Sequence, residues 1–288
     1  MPRAKHLVLE NDANQARFIG PGKYNAQWND DSHHGYHVLA TGEEDGYYMA
    51  YADAPAKHLA RCLAEGFAYQ GEVSPFSKEK RGEKSSHLPP SAFVDFLQNH
   101  DQVGNRARGE RLLTLSDEKK VKALSAIHLL APSPPRIFMG EEWGCRQPFL
   151  FFCDFQGELG EAVRKGRREE FTRFKGFTGE VPDPTAEETF KASTLDWSKA
   201  DQVWLAHYKN LLGLRQKHIA ARDLGPGRYR MLGRRAFEVA WGASGGALKL
   251  IANCGDTSVK VDDVPPGDPL WSNGAPGTPW SVNWWLTA

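Results

Sequence analysis

The 288-residue sequence predicts an α/β protein of the (β/α) barrel type, with a small all-β segment at its C-terminal end. Three observations predict it. Short apolar β-prone runs alternate with helical patterns up to about residue 220. Polar and acidic clusters follow those runs directly, as they do at the strand ends that carry function in such barrels. After Gly225-Pro226-Gly227 the period changes from helical to alternating, with turns at short intervals.

The elements follow in order. His6 to Leu9 reads as a strand running straight into Glu10-Asn11-Asp12, and a buried strand so near the start reads as though something upstream is missing. Gln15 to Tyr51 is rich in His, Asp, Gly and aromatics, with weak periodicity and room for a short helix over 32–39. Ala56 to Ala68 places Leu59, Leu63 and Phe67 at four-residue spacing, an amphipathic helix. Gly71 to Pro90 reads as a surface loop. Phe93 to Leu97 is a strand ending at Gln98-Asn99-His100-Asp101. A helix follows, with Ser116 as its cap, Asp117 and Glu118 at the positive end of its dipole, Val121, Leu124, Ile127 and His128 on one face, and Pro132 as its stop. Arg136 to Met139 is a further strand, breaking at Gly140 into Glu141-Glu142. Asp201 to Ala220 is a helix with Trp204, Tyr208, Leu211, Leu212 and Ile219 on one stripe. The division falls at 1–220 and 221–288, the second part β-sandwich-like.

Composition narrows the function. Hydrophobic residues are 40% and charged residues 25%, which excludes an intrinsically disordered chain. Lys plus Arg and Asp plus Glu are 36 each, so the chain lacks the basic surplus that nucleic-acid binding draws on. No apolar run approaches the roughly 20 residues of a membrane helix. The four cysteines lack CxxC spacing, so neither a zinc site nor a disulfide framework is expected, and the expectation is a reduced, cytoplasmic protein.

Glu10, Asp101 and Glu141 each follow an apolar strand. A carboxyl group there is expected to be partly desolvated, which raises its pKa and suits a general acid for glycosidic oxygen; Glu10 fits that role. Asp101, beside Asn99 and His100, fits an ionised stabiliser of an oxocarbenium-like transition state. From position alone, a fraying terminal residue remains the first reading of Glu10, and a turn or helix cap stands equally for Asp101. The run containing Asp30, Asp31, His33, His34 and His37 is read first as a sugar-binding loop, then as a surface turn, and last as a metal site. The basic run Arg164 to Arg168 is read as a solvated helix face. Trp271, Trp280, Trp284 and Trp285 are read as core, and Cys62 as buried and inert.

Specific strings sharpen this. FVDFLQNHDQVGNRARGER (Phe93 to Arg111) resembles the fourth signature region of α-amylase-type glycoside hydrolases, and more narrowly the maltooligosyltrehalose trehalohydrolase family. HLVLENDAN, QWNDDSHHGYHVLATGE, AEGFAYQGEVSPF, SSHLPPSAF, FMGEEWG and PFLFFCDFQGELGEAVRKGRREEF are similar to segments of the same family, as is the stretch from Glu188 to Trp197, so the resemblance covers nearly the whole chain. It implies Glu10 as acid/base, Asp101 as transition-state stabiliser, and His100 as a partner for a sugar hydroxyl. It also implies that Asn29, Asp30, His33 and His34 lie near the subsites for the trehalose end, with Asn99 and Glu141 at the site. The reaction implied is hydrolysis of the α-1,4 bond joining a terminal trehalose to a maltooligosaccharide, with no cofactor, no metal, and no nucleic-acid or membrane partner.

The sequence also departs from the family. Retention requires an Asp nucleophile about 5 Å from the acid/base, and the family carries it upstream, beside an Arg. Nine residues precede Glu10 here and none is Asp. Ser32 and Tyr36 replace residues of apolar or aromatic type. The expectation is therefore roughly the second half of a (β/α)8 barrel, inactive alone and self-associating through open strand edges unless a separate N-terminal half completes it. A non-catalytic maltooligosaccharide-binding remnant is the alternative.

Overall fold

The computed structural model describes residues 5–172, 181–243 and 246–287. The chain runs β1 (Val8–Leu9), β2 (Ala26–Trp28), α1 (Asp30–Thr41), α2 (Pro55–Glu65), β3 (Phe93–Phe96), α3 (His100–Gly104), α4 (Leu112–Leu115), α5 (Glu118–Leu130), β4 (Pro135–Arg136), α6 (Gly157–Thr172), α7 (Glu187–Ser193) and α8 (Gln202–His218). The strands β5 (Gly227–Gly233), β6 (Ala236–Ala243), β7 (Gly246–Asn253), β8 (Trp271–Ser272) and β9 (Val282–Thr287) complete it. Two compact units share these elements: Met1–Leu97 with Ser116–Arg136 and His207–Ala288, and Gln98–Leu115 with Ile137–Ala206. These units run across the 220/221 division, which marks a change of secondary-structure class.

The first unit holds two sheets. β1 to β4 pair in parallel in sequence order, with Leu9 opposite Gln27, Gln27 opposite Phe93 and Asp95 opposite Pro135. Parallel strands are covered by the helices that connect them, so their side chains tend to be buried on both faces; Phe93, Asp95 and Phe96 are. α1 packs on β3, while α2 and α5 pack on α1 and also meet the second sheet. Gly35 of α1 lets α2 approach closely, because a Cβ there would lie 3.2 Å from that of Leu59.

The second sheet is antiparallel in the order β5-β6-β7-β9-β8. Among the described residues this region forms that one sheet and not the facing pair of a sandwich. Three of its four predicted core tryptophans, Trp280, Trp284 and Trp285, are buried, while Trp271 is half-buried.

In the second unit Val103, Leu112, Leu113, Phe138, Trp143 and Trp204 are buried apolar residues. The predicted solvated face on α6 is corrected at Arg167. Its guanidinium is buried, lies 4.8 Å from the Phe151 ring centre and 4.7 Å from that of Phe171, and donates to Gly104 O.

Other expectations shift by a residue or two. Asp117, not Ser116, caps α5, accepting from Lys119 N at 2.7 Å, while the Ser116 hydroxyl donates to Ala40 O. β4 begins at Pro135 and ends at Arg136, earlier than the predicted run to Met139. No helix among the described residues is long and apolar enough to cross a membrane.

Candidate active site

In the first unit the parallel strands deliver one acidic cluster. Glu10 directly follows β1 and Asp30 follows β2 by two residues, at the same end of the sheet because β1 and β2 run parallel. Glu10 is exposed, which corrects the expectation of a partly desolvated carboxyl at that position. The desolvated carboxyl is Asp30. Burial, and then the neighbouring Asp31 charge, push it up to about 7; Glu10 and Asp12 add to the effect and Arg81 opposes it. Asp30 therefore exchanges a proton near neutrality, the property sought in a general acid or base.

The His-rich segment is not a loop or a surface turn. It is helix α1, and from Asp31 to Ala40 it is buried throughout. The sequence offers a short helix over 32–39; the weak periodicity does not reveal its burial, because the buried positions include Asp31, Ser32 and His33, whose polar atoms are satisfied internally. Asn29 caps α1 by accepting from Ser32 N, and its amide donates to Gly66 O at 2.8 Å and to Asp95 Oδ1 at 3.2 Å. His33 stacks on Phe96, and its Nδ1 lies 2.7 Å from Leu97 O. A carbonyl only accepts, so Nδ1 carries the proton. Burial, followed by His37, pushes its pKa down to about 3.

His34 is different. It is buried among the rings of Tyr47, Tyr48 and Tyr51, and neither ring nitrogen has a hydrogen-bond partner among the described residues. Burial, then the neighbouring His33, Arg81 and His37, hold it neutral by pushing its pKa well down. Of the four residues assigned to trehalose subsites, Asn29 and His33 are thus engaged in internal bonds, while Asp30 and His34 keep polar capacity. Cys62 is buried as expected, and burial raises its thiol pKa well above the ordinary value.

The second unit carries the other group. Asn99 is buried and caps α3, accepting from Gln102 N at 2.7 Å. That cap leaves His100 exposed and Asp101 half-exposed, with His100 Nε2 3.4 Å from Asp101 Oδ1. Gln98 links this segment to Glu141: its amide nitrogen donates to Glu141 Oε2 at 3.3 Å while its oxygen accepts from Leu112 N at 2.7 Å. Glu141 is buried.

Sequence reasoning missed Arg111, the last residue of the fourth-region string. Its buried guanidinium lies over the Phe138 ring and donates to Gln147 O and Met139 O, leaving Nη2 without a partner among the described residues. Burial lowers its pKa, opposed by Cys145, Glu141 and Glu142. Among the described residues, no group of three or more His, Cys, Asp or Glu is placed to hold a metal ion.

These two acidic groups sit in a chain with close relatives. A malto-oligosyltrehalose trehalohydrolase of Brevibacterium helvolum is 35% identical over 305 residues, covering 96% of this chain. The chain belongs to the malto-oligosyltrehalose trehalohydrolase family. The trehalohydrolase of Deinococcus radiodurans is 40% identical over 220 residues, 74% of this chain. A crystal structure of a putative alpha amylase from Salmonella typhimurium superposes with a TM-score of 0.92 at 45% identity, covering 98% of this chain and 51% of that one. The trehalohydrolase family membership thus spans both units, but not the whole length of its members. The chain covers 50% of the Brevibacterium protein and 36% of the Deinococcus protein. No protein-family model matches it.

Proposed function

We propose that this chain supplies the acid/base and the transition-state stabiliser of a retaining α-glycoside hydrolase that releases trehalose from maltooligosyltrehalose. The observation that carries the reading is the 35% identity to a named trehalohydrolase over 96% of the chain. Glu10 protonates the glycosidic oxygen of the α-1,4 bond, and Asp101, with His100 beside it, stabilises positive charge on the glucosyl ring. Asp30 and His34 contact the trehalose end. Asn29, His33, Asn99 and Glu141 hold these groups from behind. The chemistry calls for no cofactor or metal.

A retaining mechanism needs a carboxylate about 5 Å from the acid/base, and we place that nucleophile in the half of the curated relatives that this chain does not cover. We read residues 1–220 as roughly the second half of a barrel, 221–288 as its appended β part, and a separate N-terminal half as the partner. β1 supports this: it lies at the edge of its sheet, and Leu7 and Val8 are 50% and 38% exposed. A cytoplasmic location is supported by four cysteines that are all free thiols.

The test is to incubate maltooligosyltrehalose with the chain alone, and with a recombinant N-terminal barrel half of a relative, while measuring free trehalose. Trehalose is expected only from the mixture. Release by the chain alone overturns the account of the nucleophile. Binding without release in both favours a carbohydrate-binding remnant.

A further inference from the structure

Asp31 is fully buried, and five donors converge on its carboxylate. Oδ2 accepts from Asn14 Nδ2 at 2.9 Å, Ala68 N at 2.8 Å and Tyr69 N at 3.2 Å. Oδ1 accepts from the Tyr51 hydroxyl and from Arg81 Nη2 at 2.9 Å. The same Arg81 donates through Nη1 to Tyr51 and through Nε to Asp12 O at 2.8 Å. The pair thus grips the segment just after Glu10 at two points, the Asp12 carbonyl and the Asn14 side chain. Gln27, whose strand position is opposite Leu9, adds two more by donating to Asn11 O at 2.7 Å and Asn14 Oδ1 at 3.1 Å.

The geometry looks built for holding this segment still. Asn14 adopts a left-handed backbone with φ of 53°, and its carbonyl accepts from Glu83 N. Gly82, next to Arg81, has φ of 80°, and a Cβ there would fall 1.9 Å from Tyr69 O, so Arg81 is delivered by a turn that only glycine fits. Glu10 itself is exposed and gains little from packing, so the backbone on either side decides where its carboxyl points. β1 fixes one side. The Asp31–Arg81 pair fixes the other.

We propose that Asp31 and Arg81 are positioning residues for Glu10, a strut that fixes the Glu10–Asn14 turn and thereby the direction of the proton donor. This rests on the reading of Glu10 as acid/base. In the glycosylation step a mispositioned acid matters only where the leaving oxygen needs a proton, so in that step the strut acts selectively on substrates with poor leaving groups.

Two measurements test it. The first uses the 288-residue chain and needs no activity: residue-resolved amide exchange in R81Q and R81K. R81Q is expected to speed exchange at Asn14 and Glu83 by roughly tenfold or more, leaving Asp95 of β3 unchanged, with R81K recovering part of the protection. Unchanged exchange at Asn14 and Glu83, or an equal rise at Asp95, overturns the strut. The second uses the chain completed by an N-terminal half, comparing maltooligosyltrehalose with a nitrophenyl glycoside whose phenolate leaves without a proton. R81Q is expected to lower kcat/KM, which reports the glycosylation step alone, on maltooligosyltrehalose by tenfold or more and on the aryl substrate by less than threefold. Equal losses on both substrates overturn the positioning role. If E10Q shows no such difference between the substrates, the reading of Glu10 fails instead, while the exchange result still decides the strut.

Discussion

The indole rings of Trp241 and Trp284 stack 5.7 Å apart at 15°, and each donates its Nε1 hydrogen to a helix carbonyl, Trp241 to Leu63 O and Trp284 to Ala126 O. Leu63 lies in the last turn of α2, where carbonyls lack helical partners. The antiparallel sheet therefore closes a helix end as well as covering it. Trp241→Phe keeps much of the ring and loses the donor, so it is expected to cost about 1–2 kcal/mol, and Trp241→Ala about 3–5 kcal/mol. Urea unfolding followed by circular dichroism measures both.

Acid is expected to destabilise the fold. Burial is the largest cause of depression at His33, His34, His128 and His207, with the pKa values of His33, His128 and His207 brought down to about 3, 4 and 4. A lowered histidine contributes stability above its unfolded value of about 6.5, and that contribution is lost as pH falls towards the folded value. Asp30 and Asp95, raised to about 7 and about 6, work in the opposite sense: their contribution favours low pH and is lost as pH rises through those values. Four histidines outweigh two carboxyls. The unfolding free energy is expected to fall by about 2–4 kcal/mol between pH 7 and pH 5, measured by urea titration at each pH. Greater stability at pH 5 would contradict the buried, neutral histidines.

Arg167 and Arg168 are neighbours with opposite fates. Arg167→Ala removes a buried cation from between two phenylalanine rings together with its bond to Gly104 O, and is expected to cost about 2–4 kcal/mol. Arg168→Ala, at an exposed site, is expected to stay within about 0.5 kcal/mol. Thermal unfolding of the two variants side by side makes the comparison, and equal effects would return Arg167 to the solvated face.

What was legible in the sequence is what apolar periodicity encodes. Leu59 and Leu63 of α2, Trp204, Tyr208 and Leu211 of α8, and the alternation of β6 all face where their spacing places them. Room for a helix over 32–39 was legible, but the burial of α1 was not, because its buried surface is made from Asp31, Ser32, His33 and His37, whose fitness for the interior depends on partners such as Tyr51, Asp95, Leu97 and Glu43, which are far off in sequence or lie beyond the helix end. Arg167 and Arg111 escaped for the same reason, since a guanidinium is read as surface until its carbonyl acceptors are seen. In the candidate site, the strand-end placement of Glu10 was readable. The strand β2 ahead of Asp30 was not, nor was the desolvation of Asp30, which depends on what packs around it.

The most direct measurement of the central claim is trehalose release from maltooligosyltrehalose by the completed enzyme carrying E10Q or D101N in this chain. Removing the acid/base or the stabiliser is expected to lower kcat by at least about 100-fold in each variant, with circular dichroism and oligosaccharide binding retained. Either variant keeping a tenth or more of the unmodified rate would contradict the account.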